Sequence, residues 1–323
     1  MKIFILGGYS CKYPSFSWQC KMAFDSLGHK TKCFNYRYLQ LHRTQCSNKI
    51  LHKTIYKKII KFGPEILLVT KGESILPNFI NKIGNRGIKT ANWVLDDPTG
   101  KFYPKNKVNN ISEYDAFFVF DPAYVVELRK QNPNTHYLPC AADPDNIHKE
   151  LIPLKNRKYK YDVSFVGSHE PYRQEFFKKL TKYDLHIWGF RWGNVKDKSL
   201  QKHIHKEIPR GKHMCEIFNN SKININIHAK HSIDGLNLRT FEVPATKSFL
   251  LTDYYSELSK LFKVGKEAVF YKNIDDLKKK IDYYLKKDKE REKIALAGYN
   301  RVIKEHTMKH RIIELLKIVK RLD

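Results

Sequence analysis

Short apolar runs that alternate with helical patterns are the feature that most limits how this chain can fold. Residues 64–70 and 161–166 are rich in apolar side chains and bounded by turn residues, which is typical of strands buried in a parallel sheet. A helical pattern follows each of them, near residues 75–83 and 172–180. Because parallel strands need such crossover connections, the alternation predicts an α/β protein with doubly wound parallel sheets.

Acidic residues followed by proline end two further predicted strands, at residues 89–95 and 114–120. Asp96 and Asp97 follow the first strand and Asp121 follows the second, at the carboxyl ends where open α/β sheets place ligands. Adjacent carboxylates in a cleft suit acid–base chemistry, so Asp97 is a candidate catalytic residue. Helix capping is the alternative for all three acids. Their adjacent spacing does not match a metal-binding pair, and no metal ligand is predicted.

A glycine, a serine and an arginine follow the first predicted strand of the second half. Gly167 and Ser168 end that strand, and Arg173 falls in the first turn of the next helix. Glycine permits a close approach of the backbone to a ligand, helix amides favour anions, and arginine can bind a diphosphate through two N–H groups. These residues predict a phosphate-binding loop. The alternative is an arginine that only packs on its helix.

Residues 234–261, with the sequence DGLNLRTFEVPATKSFLLTDYYSELSKL, form the most informative segment. The segment begins with the turn-forming pair Asp234 and Gly235 and continues into a short helical pattern before an apolar strand. Arg239 and Glu242 are three residues apart, which places a cation and a carboxylate on one face of that helix. The alternative to a functional pair is a surface ion pair worth under ~1 kcal/mol.

This segment resembles the carboxyl-terminal half of group 1 glycosyltransferases, and most closely the CgeB-like branch. Many group 1 enzymes carry two glutamates separated by seven residues. Here Asp234 stands at the first of these positions and Glu242 at the second. The FVGS string that ends at Ser168, with Arg173 after it, is similar to the opening of the family's nucleotide-binding domain. The resemblance covers nearly the whole chain.

The resemblance implies the GT-B fold, in which two Rossmann-like domains with doubly wound parallel sheets face an interdomain cleft. A length of 323 residues suits two such domains. We predict an acceptor domain at residues 1–147 and a nucleotide-sugar-binding domain at residues 161–306. The Lys-rich residues 148–160 are predicted as the linker. Residues 307–323 are predicted to form a helix that crosses back to the first domain.

The resemblance further implies sugar transfer from a nucleotide-diphosphate sugar, with retention of configuration and without a metal ion. The nucleotide sugar is a substrate, and no separate cofactor is implied. Glu242 would accept hydrogen bonds from the ribose hydroxyls, while Arg173 and Arg239 would neutralise the diphosphate. The residues implied to hold the donor sugar are Asp234, Gly235, Leu236 and Asn237. The predicted catalytic residues are Asp97, Asp234 and Arg239.

Positive charge is the most unusual bulk property of the chain. Lys and Arg number 60 against 33 Asp and Glu, which gives a formal net charge of +27. Such an excess attracts polyanions, although an AT-rich coding bias that favours Lys is the alternative explanation. A non-catalytic protein that binds nucleic acid or another polyanion on the same fold is therefore the second candidate function. For an enzyme, the acceptor stays open between a nucleic acid, a cell-surface polymer and a protein side chain.

The distribution of cysteine and apolar residues bears on location. The six cysteines include no CxxC pair, which indicates reduced thiols in the cytoplasm. No apolar run approaches ~20 residues, so no transmembrane segment is predicted.

The last helical pattern has an apolar stripe, which predicts docking on the first domain. Peripheral membrane contact is the alternative, through the basic residues Lys309, Arg311, Lys317, Lys320 and Arg321.

Overall fold

The computed structural model describes residues 1–9, 14–36, 47–102, 104, 107–108 and 110–322, with the backbone alone at 47–49. These residues form two compact units. The first unit consists of Met1–Cys140, Lys230–Gly235 and Met308–Asp323, and the second unit consists of Ala141–Ala229 and Leu236–Thr307. Residues 148–160, the predicted linker, fall within the second unit. The domain boundaries stay a prediction.

The first unit contains a six-stranded sheet with the order β2-β1-β3-β4-β5-β6. Every neighbouring pair of strands is parallel. The strands are β1 (Lys2–Gly7), β2 (Lys30–Asn35), β3 (Ile66–Thr70), β4 (Lys89–Val94), β5 (Ala116–Val119) and β6 (Thr135–Tyr137). The helices are α1 (Phe16–Ser26), α2 (Ser47–Phe62), α3 (Pro77–Gly84), α4 (Ala123–Leu128) and the carboxyl-terminal helix (Met308–Val319).

The carboxyl-terminal helix packs against α1. Its buried apolar side chains lie on one stripe, as the pattern predicts: Met308, Ile312, Leu315, Leu316 and Val319. Arg311 is also buried, and its Nε donates to the carbonyl oxygen of Pro139 at 3.1 Å. Arg311 therefore contributes nothing to an exposed basic face. In the part of the chain that the structure describes, none of the helices combines the length and the apolar character needed to cross a membrane.

The second unit contains a five-stranded sheet with the order β11-β10-β9-β7-β8, again with parallel pairs throughout. The strands are β7 (Tyr161–Val166), β8 (Leu185–Trp188), β9 (Ser221–Asn226), β10 (Leu250–Asp253) and β11 (Val269–Tyr271). The helices are α5 (Pro171–Lys178), α6 (Lys198–Gln201), α7 (Lys212–Asn219), α8 (Arg239–Ala245), α9 (Ser256–Leu261), α10 (Ile274–Tyr284) and α11 (Asp288–Glu305). The predicted α/β class, with a parallel sheet in each half, is confirmed.

The order of the second sheet creates a switch point between β7 and β9. The chain winds from β7 outwards to β8, then returns to β9 on the other side of β7 and continues outwards through β10 and β11. At such a point the two connections leave the strands in opposite directions, which opens a crevice outside the carboxyl ends. The predicted phosphate-binding loop follows β7, so the fold places it at this crevice.

Candidate active site

Arg173 joins the two strand ends at the switch point. Its Nη1 donates to the carbonyl oxygen of Ser168 at 2.9 Å, and its Nη2 donates to the carbonyl oxygen of Ile227 at 2.6 Å. The side chain is 7% exposed, and among the described residues its buried Nε has no hydrogen-bond partner. Carbonyl groups satisfy donors without neutralising the charge, so Arg173 leaves a buried positive charge that an anion can balance.

Arg239 adds a second guanidinium at the end of β7. Its Nε donates to the carbonyl oxygen of Val166 at 2.9 Å, and its Nη1 pairs with Oε2 of Glu242. Burial lowers the pKa of Arg239 to about 10, and the positive charge of Arg173 acts in the same direction. Two arginines thus lie at this strand end, and the carboxylate of Glu242 pairs with Arg239, a balance that favours an additional anion.

Glu242 is buried, and both of its carboxylate oxygens have a protein partner. Oε2 pairs with Arg239, while Oε1 lies 3.2 Å from Nε2 of His148. Glu242 is 4% exposed. A carboxylate offers about four acceptor sites, so each oxygen can still accept a hydrogen bond from a ligand hydroxyl. The predicted residue is therefore part of a buried ion pair, and its contact with the donor ribose stays a prediction.

His148 is a site residue that the sequence analysis did not find. Its Nδ1 accepts a hydrogen bond from the amide of Asp143 at 2.9 Å, so the proton of the neutral ring is on Nε2, facing Glu242. Burial lowers the pKa of His148 to about 3, which keeps the ring neutral near pH ~7. The sequence shows only a lone histidine in a polar segment.

The low pKa of His148 predicts a loss of stability in acid. In the folded protein this pKa falls from 6.5 to about 3, so within that window the unfolded state binds more protons. The free energy of unfolding therefore decreases as the pH falls below about 6.5, by at most about 1.4 kcal/mol per pH unit from this residue. The charged groups around the ring are Asp143, Arg239 and Glu242.

Urea unfolding of the wild type and of His148→Gln, at about pH 7 and about pH 5, measures this contribution. We expect the wild type to lose more stability than the variant over the same interval, because glutamine does not titrate. Equal losses in the two proteins would show that His148 is not the responsible group.

The loop before α8 is fixed by paired amides. Nδ2 of Asn226 donates to Oδ1 of Asn237 at 3.1 Å, and Nδ2 of Asn237 donates to Oδ1 of Asn226 at 3.0 Å. Asn226 also donates to Oγ1 of Thr252 at 3.1 Å, and Leu236 is fully buried. The predicted donor contacts of Leu236 and Asn237 therefore depend on their backbone, which this network holds over the end of β9.

His228, at the end of β9, forms a tight pair with Asp253. The amide of His228 donates to Oδ2 of Asp253 at 2.9 Å, and its Nδ1 lies 2.5 Å from Oδ1. Its Nε2 is 3.4 Å from Oγ1 of Thr240 in α8. The pair ties the ends of β9 and β10 to α8, which carries Arg239 and Glu242. This geometry favours a structural role for the histidine.

Trp188 and Trp192, at the end of β8 and in the loop after it, are 2% and 0% exposed. Trp192 belongs to the hydrophobic core of the second unit, and its Nε1 donates to the carbonyl oxygen of Gly167 at 2.8 Å. The amide of Gly167 in turn donates to the carbonyl oxygen of Trp188 at 3.0 Å. The two tryptophans thus hold the backbone of Gly167, the residue that begins the predicted phosphate-binding loop.

Asp97 lies in the first unit and is fully buried. Its Oδ1 accepts hydrogen bonds from the amides of Thr99 at 2.9 Å and Gly100 at 3.2 Å, and its Oδ2 accepts one from the amide of Phe102 at 2.7 Å. These contacts hold the turn that follows β4. The catalytic role of Asp97 stays a prediction, and this geometry favours a structural role.

Asp121 fixes the segment that contains Asp234 and Gly235, which also belong to the first unit. Its Oδ2 accepts hydrogen bonds from the amides of Ile233 at 2.7 Å and Asp234 at 3.1 Å. A Cβ on Gly235 would lie 2.6 Å from the Cα of Asp121, so only glycine fits. The predicted sugar contacts of Asp234 and Gly235 stay predictions. Within the described ranges, no cluster of three or more His, Cys, Asp and Glu residues could hold a metal ion.

Solved structures of other proteins share the fold. A sucrose-phosphate synthase from Thermosynechococcus elongatus is 10% identical, with a TM-score of 0.69 over 100% of this chain and 99% of that chain. HepE from Anabaena, in complex with UDP and glucose, is 9% identical, with a TM-score of 0.68 over 99% of this chain and 100% of that chain. Residues 173–317 match the family described as glycosyl transferase-like. The chain therefore has the GT-B fold, with two parallel-sheet α/β domains.

A curated relative gives the more particular resemblance. The chain is 22% identical to the spore protein CgeB of Bacillus subtilis (strain 168) over 272 residues, which span 77% of this chain and 81% of CgeB. The predicted similarity to the CgeB-like branch, which rests on residues 234–253, is confirmed.

Proposed function

We propose that this protein transfers a sugar from a nucleotide-diphosphate sugar, and that it binds the donor at the carboxyl ends of β7 and β9. The observation that carries this proposal is the presence of two guanidinium groups, Arg173 and Arg239, the second of which pairs with the carboxylate of Glu242. A site with this charge balance suits a diphosphate. The UDP bound to HepE, which has the same fold, supports a nucleoside diphosphate.

The leaving diphosphate is the group that Arg239 would stabilise. When the bond between the anomeric carbon and the β-phosphate oxygen breaks, its electron pair remains on the diphosphate, where negative charge develops. Nη2 of Arg239 donates to no other described residue, and the side chain is 26% exposed, so this N–H group is available to a ligand. Arg173 contributes charge and holds Ser168 in place. Stabilisation of developing charge commonly contributes more to catalysis than any other single effect.

Retention of configuration and independence of a metal ion belong to the proposal through the resemblance to enzymes with two spaced glutamates. The acceptor oxygen would form its bond to the anomeric carbon on the face that the diphosphate leaves, and the leaving phosphate would take the acceptor proton. Two arginines would supply the positive charge that a divalent cation supplies in other transferases. Asp234 and the backbone of Gly235, Leu236 and Asn237 would orient the sugar.

A cavity beside the phosphate-binding loop is the candidate site for the nucleoside. Its volume is about 300 Å³, which is at the lower end for small-molecule pockets. It shares Trp192 with the loop, because the indole nitrogen of Trp192 binds the carbonyl oxygen of Gly167. The residues that line it are Trp192, Gly193, Val195, Gln201, Ile204 and Lys206. A nucleotide whose base is bound in this cavity would direct its diphosphate towards Arg173 and Arg239.

We propose the cytoplasm as the compartment and a polyanion as the acceptor. Cys33, Cys140 and Cys215 are free thiols, which suits a reducing compartment, while Cys11 and Cys46 lie outside the described residues. The net charge of +27 would attract a nucleic acid or an anionic cell-surface polymer.

A donor screen tests the proposed function. The purified protein is incubated with UDP-, GDP- and ADP-sugars and with nucleic acid, cell-surface polymer or peptide as the acceptor. Nucleotide release is measured, and the acceptor is weighed by mass spectrometry. We expect one nucleotide sugar to release its nucleotide and the acceptor to gain the mass of one sugar residue. The absence of nucleotide release from every donor, with every acceptor, would contradict the proposal.

We also expect Arg173→Ala to weaken binding of a nucleoside diphosphate more than binding of the nucleoside. The physical reason is that the guanidinium charge acts on the phosphates, so its removal should cost the diphosphate roughly 10-fold or more in affinity. The measurement is calorimetric titration with UDP and with uridine. Lys179→Ala, which removes one charge at the exposed end of the same helix, is the matched control. Equal losses for both ligands would indicate that Arg173 acts only through the fold.

A further inference from the structure

The turn from Asp143 to His148 holds the imidazole ring of His148 rigidly. The carbonyl oxygen of Asp143 accepts hydrogen bonds from the amides of Ile147 at 2.9 Å and His148 at 2.8 Å. The amide of Asp143 donates to Nδ1 of the ring at 2.9 Å, and Oδ1 of Asp143 accepts a hydrogen bond from the Asn146 side chain at 2.8 Å. Backbone and side chain therefore fix both the position and the tautomer of His148.

The fixed ring directs its only N–H group at Glu242. Nε2 lies 3.2 Å from Oε1 of Glu242, and both side chains are almost completely buried. Because Nδ1 accepts the Asp143 amide, the neutral ring can donate only from Nε2. A neutral donor fixes the carboxylate oxygen and leaves the negative charge of Glu242 in place, whereas a second cation would cancel it.

The contact with His148 also determines how Glu242 meets Arg239. A carboxylate and a guanidinium readily form two parallel hydrogen bonds, but here only Oε2 of Glu242 pairs with Nη1 of Arg239. His148 occupies the other oxygen. With that oxygen released, the carboxylate could rotate into the two-bond arrangement, which would occupy further N–H groups of Arg239 and turn both oxygens away from a ligand.

We propose that His148 is a positioning residue, which holds Oε1 of Glu242 so that the carboxylate accepts the ribose hydroxyls and Arg239 keeps an N–H group for the diphosphate. This inference rests on the donor-binding function proposed above. His148 itself touches neither the sugar nor the phosphates. It acts through Glu242.

Two substitutions separate positioning from a purely structural role. In His148→Gln, the side-chain amide nitrogen lies near the position of Nε2, so the donor to Glu242 is kept while the acceptor for the Asp143 amide is lost. In His148→Asn, the amide oxygen lies near the position of Nδ1, so the acceptor is kept and the donor is lost. The two variants thus divide the two hydrogen bonds of the ring between them.

The readouts are the dissociation constant for UDP, the KM and kcat with the donor found in the screen, and the melting temperature. We expect His148→Asn to raise the dissociation constant and the KM at least ~10-fold, with a melting temperature close to that of the wild type. His148→Gln should bind UDP within ~3-fold of the wild type and melt at a lower temperature. The reverse order, equal losses in both variants, or full binding in both would overturn the positioning role.

Failure of the underlying function gives a different result. If the wild type binds no nucleotide, the donor site itself is refuted, and the two variants are not needed to show it. If the wild type binds UDP and Glu242→Gln binds it more weakly, while both His148 variants bind it normally, only the inference about His148 is overturned.

Discussion

Replacing Glu242 by glutamine is expected to weaken donor binding at least ~10-fold and to lower the free energy of unfolding by roughly 1–3 kcal/mol. The loss of binding follows because a charged acceptor for the ribose hydroxyls becomes a neutral amide. The loss of stability follows because Arg239 is left as a partly buried cation without its carboxylate. The apparent donor KM and the melting temperature, measured on one preparation, test both parts.

Glu175→Gln is the matched control for this substitution. Glu175 is an exposed carboxylate of α5, and its partner is Lys178 at 2.9 Å. A surface pair of this kind contributes under ~1 kcal/mol, so the control should retain both donor binding and stability. If Glu242→Gln lost only stability and kept the donor KM and kcat of the wild type, Glu242 would have no part in donor binding.

The second large effect is expected for Arg239→Ala, which should reduce the rate of sugar transfer by about 10²–10³-fold. Removing one preorganised donor to a developing negative charge typically has this effect. The Nε contact with Val166 and the pair with Glu242 are lost as well, so the affinity for UDP should also fall. Single-turnover measurements of nucleotide release, together with UDP titration, separate the chemical step from binding.

Arg239→Lys is the informative companion to this variant. Lysine keeps the charge but replaces the planar guanidinium, whose N–H groups point in fixed and separate directions, by one compact ammonium group, so it should hold the carbonyl of Val166, the carboxylate of Glu242 and a phosphate less well. We expect an activity between those of Arg239→Ala and the wild type. If Arg239→Ala transferred sugar at the wild-type rate and only melted at a lower temperature, Arg239 would stabilise the end of β7 and would have no role in sugar transfer.

Much of the fold follows from local sequence patterns. The strand predicted at residues 161–166 is β7 with the same bounds, because its apolar run is long enough and ends at Gly167. The three-residue strand β6 (Thr135–Tyr137) was not predicted, since so short a run shows no periodicity. The helix α2 (Ser47–Phe62) was also not identified from its pattern, in which basic residues are frequent.

The candidate site was less predictable than the fold, because its contacts join distant parts of the chain. The pairing of Arg239 with Glu242 follows from their spacing on one helix. The contact of Glu242 with His148 depends on tertiary packing, which no local pattern records. Sequence alone therefore predicts nearly unchanged stability for Glu242→Gln, whereas the buried contacts of this carboxylate predict a loss. The same limit applies to Asp97, because the sequence does not show whether a carboxylate at a strand end faces a ligand or its own turn.

Calorimetric titration of the wild type with UDP, GDP and ADP tests the central claim most directly, with Arg239→Ala titrated in parallel. The account predicts that one of these nucleoside diphosphates binds to one site per chain, and that Arg239→Ala binds it at least ~10-fold more weakly. A protein that binds none of them, but binds nucleic acid tightly and with a steep dependence on salt, would contradict a donor site at β7 and β9. It would instead favour a non-catalytic polyanion-binding protein on the same fold.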